Sequence, residues 1–235
     1  MSSNLFQFKQ FGVQQNLSAM KVGTDGVLLG AWVTPKEGSL LDIGTGTGLL
    51  SLMLAQRTDA AQIDAIDIDE SAYQQALINV NESKWKERIH VHHSALQDYK
   101  PSKKYDLIFS NPPYFVNSSK TTNEAKNRAR HTDDLPFDEL IRLVKHFLKE
   151  EGVFALILPV NEAPSFVDKA FQRELFLTRR SAVKPNIHKK PKRVLLEFAH
   201  QHLTLKEEEL TIETEKRHQY TKEYINLTQD FYLNF

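Results

Sequence analysis

The chain has 235 residues, 40% of them hydrophobic, enough for one sizeable core, and no run approaches the ~18 apolar residues that a membrane helix needs. It contains no cysteine, which excludes disulfides, thiolate metal sites and cysteine nucleophiles; with the polar opening Met1-Ser-Ser-Asn4, this makes the cytoplasm the expected compartment. Thirty Lys and Arg balance thirty Asp and Glu, so whole-chain charge gives no support to a nucleic-acid partner.

Residues 1–35 hold Phe6, Phe8 and Phe11, then Lys21-Val-Gly-Thr-Asp-Gly-Val-Leu-Leu-Gly-Ala-Trp32, a turn opening into an apolar helix. Ser39–Ile43 reads as a strand that runs into a glycine turn, and Leu49–Gln56 as a helix with Leu50, Met53 and Leu54 on one face. Gln62–Ile68 is a second strand, followed by Asp69 as N-cap and a helix through Ala72, Ala76, Leu77 and Val80. Arg88–His92, Tyr105–Ser110, Val153–Pro159 and Val194–Ala199 supply further strands, with a helix from Phe137 to Lys149 that Gly152 closes as C-cap. This alternation implies an α/β fold with a doubly wound parallel sheet, and no linker divides it, so residues 1–235 are expected to form a single domain. Residues 114–136 have few large apolar side chains and read as a long functional loop.

Leu40-Leu-Asp-Ile-Gly-Thr-Gly-Thr-Gly48 sets Gly44, Gly46 and Gly48 at alternate positions after a strand, where a bare backbone lets a ligand approach a helix N-terminus. The dinucleotide fingerprint asks for its last glycine at position 49, which is Leu49, so nicotinamide and flavin are disfavoured. Asp67 ends the next strand, where a carboxylate can accept both hydroxyl hydrogens of a ribose. Asp42 stands in an otherwise apolar strand end and needs a hydrogen-bonding or charged partner, which a methionyl ammonium group would supply. Loop and acids together suit S-adenosylmethionine better than a pyrophosphate; the plain alternative is a tight turn with Asp67 as a mere cap.

The strand from Tyr105 ends at Asn111, followed by Pro112, Pro113 and Tyr114. Ligands of open parallel sheets bind at the carboxyl ends of the strands, so Asn111 should face the mouth of the glycine-loop pocket. An amine conjugated with an aromatic ring is a poor nucleophile. The Asn111 side-chain oxygen and the Pro112 carbonyl, fixed by the two prolines, can accept its two hydrogens and turn its lone pair toward a methyl group. Tyr114 offers a flat face on which a planar base can stack.

With these motifs the chain resembles the class I methyltransferases: Asp42-Ile-Gly-Thr-Gly-Thr-Gly48 is similar to their glycine loop, Asp67 to their ribose-binding acid, and Asn111-Pro-Pro-Tyr114 to their amino-group signature. More narrowly, Phe8-Lys-Gln-Phe-Gly-Val13, Ala19-Met-Lys-Val-Gly-Thr-Asp25 with the helix after it, and Lys192-Arg-Val-Leu-Leu196 resemble the bacterial tRNA1(Val) adenine-37 N6-methyltransferases. The resemblance implies a mostly parallel, seven-stranded Rossmann-like methyltransferase sheet over residues 36–200, with 1–35 covering the cofactor and 201–235 as a C-terminal extension. It implies methylation of the exocyclic N6 of adenine 37 in that tRNA. The catalytic residues would be Asn111, Pro112, Pro113 and Tyr114. S-adenosylmethionine would be held by Lys21, Thr24, Asp42, Gly44, Thr45, Gly46, Gly48, Asp67 and Asn111.

Seven basic residues and no acidic one lie between Arg179 and Arg193, and Glu207, Glu208, Glu209, Glu213 and Glu215 follow soon after. Lys184, Lys189, Lys190, Lys192 and Arg193 are therefore the expected phosphate contacts, joined by Arg128 and Arg130 of the long loop, with Lys120, Lys126 and His131 near them. His90, His92 and His93 lack an accompanying acid or thiolate, so no metal is expected, and the protein is taken as a monomer that binds no membrane. The competing readings are N5-methylation of a protein glutamine, whose amide presents a similar amine, DNA adenine methylation, and a non-catalytic RNA-binding factor. About 39 residues precede the glycine loop, too few for the extra helical domain usual in glutamine methyltransferases, and no segment is large enough to read DNA sequence in the major groove.

Overall fold

A computed structural model describes residues 4–17, 21–59, 61–112 and 136–234. The chain opens with an antiparallel hairpin of β1 (Leu5–Gln7) and β2 (Gly12–Gln14), followed by α1 (Thr24–Trp32). β3 (Ser39–Ile43), β4 (Gln62–Asp67), β5 (Ile89–His93), β6 (Tyr105–Ser110) and β7 (Leu148–Pro159) then form the parallel part of one sheet. β8 (Phe176–Asn186) and β9 (Arg193–Ala199) make an antiparallel hairpin whose second strand pairs antiparallel with β7. β10 (Lys206–Glu213) adds parallel to β8, and the spatial order is β5-β4-β3-β6-β7-β9-β8-β10.

The central strands are apolar without interruption because both faces of the sheet are covered. Leu40, Leu107, Phe109, Ala155, Ile157 and Leu195 point to the face carrying α1, α2 (Leu49–Arg57), the hairpin aromatics Phe8 and Phe11, and Phe231 near the C-terminus. Their neighbours Leu41, Ile108, Phe154, Leu156 and Leu196 point the other way, onto Leu140, Ile141 and Val144 of α4 (Phe137–Phe147) and Phe166 of α5 (Ala163–Gln172). α3 (Glu70–Asn81) starts as expected, with the Asp69 carboxylate accepting from the Ala72 amide at 2.9 Å, and buries Val80 on the first face. α6 (Lys222–Thr228) closes that face beside α1. Among the described residues no helix is long and apolar enough to cross a membrane.

Three features differ from the sequence reading. The sheet has an eighth strand, because the acidic segment after residue 205 is not a loose extension but pairs with the basic strand β8. Glu207 sits opposite Arg180, Glu208 opposite Ser181 and Glu209 opposite Ala182, and the carboxylates bind Arg180, Arg179 and Lys184 respectively. The opposite charges seen in the sequence thus neutralise each other across one strand pair. The helix expected to reach Lys149 ends at Phe147, and Gly152 lies inside β7 instead of capping it. A Cβ at Gly152 would stand 2.9 Å from the Tyr105 carbonyl oxygen, so a bare backbone is what lets β7 approach β6 there.

α1 is buried from Gly26 to Trp32 and is fastened at its C-terminal end. The Arg57 guanidinium donates to the Gly30 and Val33 carbonyls at 2.9 and 2.8 Å, satisfying acceptors that a helix end leaves open. Arg179 lies with its guanidinium carbon 4.0 Å from the centre of the Trp32 ring, while the Trp32 indole donates to Glu208.

Candidate active site

The glycine loop follows β3 and turns into α2 with Gly44, Gly46 and Gly48 at φ of +69°, +59° and +80°, left-handed values that strain other residues. A Cβ at Gly44 or Gly46 would meet nothing within 4 Å, so conformation, not packing, demands glycine there, and the loop borders open space. Asp67, at the carboxyl end of the neighbouring β4, accepts from the Gly46 amide at 2.8 Å and from the Asp69 amide at 3.0 Å. Each of its oxygens keeps a further lone pair for a hydroxyl. Burial raises its pKa, and the two amide hydrogen bonds offset part of that. Ile68, next in the chain, leaves half its surface exposed at the same rim, and its carbonyl is held by His93 Nε2 at 2.9 Å.

Asp42 is fully buried beneath the loop, where its Oδ2 accepts from the Thr45 and Ser51 hydroxyls, each at 2.7 Å. Its Oδ1 is buried with no hydrogen-bond partner among the described residues, an unmet acceptor that a cationic ligand group would satisfy. Burial pushes its carboxyl up to about 6, against the two hydroxyl bonds. A pKa raised in the folded state means that the native protein holds the proton more tightly, so this group's contribution to stability is complete below about 3.8 and is lost as pH rises to about 6. Asp42→Asn should remove that fall, up to roughly 3 kcal/mol, so wild type minus variant stability in urea titrations should decline between pH 4 and 6 and stay level above it. Parallel curves over that range would count against the assignment.

Sequence reading missed Asn79. This residue of α3 is 1% exposed; its amide donates to the carbonyls of Thr47 in the glycine loop and Gln14 in β2, at 2.8 and 2.9 Å, and its oxygen accepts from the Gln14 amide. Gln75, one turn earlier, accepts from the Leu17 amide. The loop and the N-terminal segment are thus pinned by one helix face, and a buried Asn among the apolar positions of α3 is the only trace this leaves in the sequence.

Asn111 and Pro112 follow β6, the strand beside β3, so they stand at the same edge as the glycine loop. The strand end is fixed by the Ser110 hydroxyl donating to the Ile43 carbonyl at 2.8 Å. Above it lies the first turn of α1: a Cβ at Gly26 would be 3.0 Å from Leu49 Cδ2 and 3.9 Å from Asn111 Nδ2. Thr24, the first residue of that turn, is exposed, as is Lys21 three residues before it. The structure therefore brings Thr24, Asp42, Gly44, Thr45, Gly46, Gly48, Asp67, Asn111 and Pro112 to one carboxyl edge, with Lys21 exposed in the segment that leads into α1. Pro113, Tyr114, Arg128 and Arg130 lie outside the described residues, as do Lys120, Lys126 and His131.

The expected phosphate contacts divide into two groups. Lys184 is ion-paired with Glu209 at 2.7 Å and Arg193 with Asp25 at 2.8 Å. Lys189, Lys190 and Lys192 are exposed in the turn between β8 and β9. Because Arg193 pairs with Pro159 and Val183, that turn lies at the same edge as Asn111. His93 is engaged by Glu70 at 2.7 Å and stacks on Tyr73, and among the described residues no group of His, Asp and Glu is arranged for a metal ion.

Comparison with known proteins adds the chemistry to this geometry. The family described as "Methyltransferase small domain" matches residues 18–174. Proteins named tRNA1(Val) (adenine(37)-N6)-methyltransferase from Flavobacterium psychrophilum and Bacteroides fragilis are each 47% identical to the chain, over 97% and 99% of it and 99% of their own length. The chain belongs to the tRNA1(Val) (adenine(37)-N6)-methyltransferase family. A structure titled a predicted O-methyltransferase from Agrobacterium tumefaciens superposes with a TM-score of 0.70 at 15% identity, covering 88% of this chain and 96% of that one, which speaks for the fold alone. Membership of the tRNA1(Val) methyltransferase family over nearly the full length means that the segment forming β10 falls within the shared region.

Proposed function

We propose that this protein transfers the methyl group of S-adenosylmethionine to the exocyclic N6 of adenine 37 in tRNA1(Val). The observation that carries the reading is the juxtaposition of Asn111 and Pro112 with the open glycine loop at one sheet edge, roofed by the first turn of α1. The names of relatives at 47% identity supply the substrate. When bound, S-adenosylmethionine supplies an electrophilic methyl group on a sulfonium. The residues present fit it: Gly44 and Gly46 leave room, Asp67 offers free lone pairs to a ribose, and Asp42 holds a buried oxygen for the ammonium group. Gly48, Thr45, Thr24 and Lys21 complete that side.

On the substrate side, the Asn111 side-chain oxygen and the Pro112 carbonyl accept the two amine hydrogens, which orients the nitrogen lone pair; once methylated, the nitrogen releases one of these hydrogens to solvent as a proton, so no strong base is required. On this reading Pro113 is assigned to fix the turn and Tyr114 to stack on the adenine, both lying outside the described residues. We assign the protein as a cytoplasmic single-domain monomer that acts without a metal ion. The test is transfer of labelled methyl to bacterial RNA lacking this modification, followed by digestion to nucleosides. N6-methyladenosine in one valine tRNA is the expected product; label on the glutamine of added protein release factor instead of RNA would overturn the reading.

Phosphate contact by the β8–β9 turn, with Arg128 and Arg130, follows from the same reading, whereas Lys184 is held by Glu209. Replacing Lys189, Lys190 and Lys192 by alanine should weaken tRNA binding and reduce the slope of log K against log salt by about 2 to 3, at roughly 0.9 per phosphate, with kcat at saturating tRNA kept. An unchanged slope would remove this turn from the RNA surface.

A further inference from the structure

α1 begins without a side-chain cap. Its N-cap is Gly23, with no side-chain hydrogen bond to the first turn, although that turn covers Asn111. A Ser, Thr, Asp or Asn at this position could hold the first amides with its side chain, which glycine lacks. Here the fastening comes from the sheet. Asp25 in the first turn accepts a 2.8 Å hydrogen bond from Arg193 Nε, with both side chains at least two-thirds buried. Arg193 is the first residue of β9 and stands opposite Pro159 at the end of β7, two strands along from the end of β6 that carries Asn111. Neighbouring strands are about 4.8 Å apart, so the distance to be bridged is of the order of 10 Å. Asp25 and Gly26 bridge it: one residue is fastened to Arg193, and the next lies against Asn111 and Leu49. The charge on Asp25 also favours the positive end of the helix.

We propose that Arg193 and Asp25 form a strap that holds the first turn of α1 down over Asn111, making Arg193 a positioning residue for methyl transfer and not an RNA phosphate contact. The strap explains why Arg193 turns inward while its neighbours Lys189, Lys190 and Lys192 face solvent. Losing it frees the turn to lift, and Asn111 loses the wall that keeps its side chain in one orientation. This rests on Asn111 being the group that orients the target amine.

The test compares Asp25→Asn, Arg193→Gln, Arg193→Lys and the Asp25→Asn/Arg193→Gln double variant with wild type. The readouts are kcat and KM for tRNA at saturating S-adenosylmethionine, the salt dependence of tRNA binding, and thermal midpoints. Asp25→Asn and Arg193→Gln should each lower kcat by about ten- to a hundredfold, as small displacements of catalytic groups do. KM for tRNA and the salt slope should stay at wild-type values, and the double variant should be no worse than the worse single one, because both remove the same contact. Arg193→Lys, which keeps the charge and one donor, should recover part of the loss. If Arg193→Gln instead reduces the salt slope by about one and Asp25→Asn leaves kcat unchanged, Arg193 is a phosphate contact and the strap is wrong. Unchanged kcat in both variants, or a loss matched by a lower thermal midpoint and abolished on cooling, would also overturn it. A wild-type protein that makes no N6-methyladenosine refutes the underlying function, a different result from an active wild type with indifferent variants.

Discussion

With alanine at position 111, kcat for methyl transfer is expected to fall by roughly 10²–10³-fold, the usual cost of removing one preorganised polar group from a reacting centre. The side chain is set at the end of β6, next to a Ser110 hydroxyl that locks this strand end to Ile43, and it lies beneath Gly26. Its contribution is orientation: removing it leaves the adenine amine conjugated with its ring and the lone pair pointing nowhere in particular. Cofactor binding depends mainly on the glycine loop and Asp67, so the rise in melting temperature on adding S-adenosylmethionine should survive in the variant. Asn111→Asp, which keeps an acceptor in place, should retain more activity than Asn111→Ala. Equal activity of Asn111→Ala and wild type would remove Asn111 from the chemistry.

Arg179→Ala should be among the most destabilising substitutions in the chain, costing about 3–5 kcal/mol and lowering the melting temperature by of the order of 10 °C. Arg179 donates to both oxygens of Glu208 between 3.0 and 3.3 Å and to the Trp32 carbonyl at 3.1 Å, and it lies 3.6 Å from Glu197. Glu197 is 4% exposed and accepts from the Thr34 amide at 2.7 Å, so loss of the guanidinium leaves a buried carboxylate whose nearby cation is Arg57, already donating to the Gly30 and Val33 carbonyls. Glu208 records the same network: burial alone would raise its carboxyl, yet bonds from Lys206, Arg179 and Trp32 bring it down to about 2. That pairing is fully present above about 4.5 and is lost as pH falls through about 2. Differential scanning calorimetry measures the cost. A variant as stable as wild type, with a reduced salt slope in tRNA binding, would move Arg179 to the RNA surface.

The sequence was most informative where local chemistry and fold demand the same residue. Gly44, Gly46 and Gly48 must be glycine because of their φ angles, Asp69 caps its helix through its own side chain, and the β3 and β6 strands are apolar because both faces are covered. Each of these leaves a pattern within a few residues. β10 leaves none: in Lys206-Glu-Glu-Glu-Leu-Thr-Ile-Glu213 the carboxylates are tolerated because β8 supplies cations in register, a complementarity between segments more than 20 residues apart. A separation of 168 residues likewise hid the pairing of Arg193 with Asp25, whose separate sequence contexts suggested an RNA contact and a turn. Asn79 was missed for the opposite reason, since a single buried amide among helix-forming residues is indistinguishable locally from a surface one.

β10 also determines how the sheet terminates. Outermost strands present unpaired backbone groups on which another chain can build, and proteins resist this by charging that border. Here the last strand carries Lys206, Glu207 and Glu209 exposed, with the two carboxylates paired to Arg180 and Lys184 of β8, so a second molecule approaching border to border must desolvate charged side chains before any backbone hydrogen bond can form. The strand that neutralises β8 inward thereby keeps neighbouring molecules apart outward.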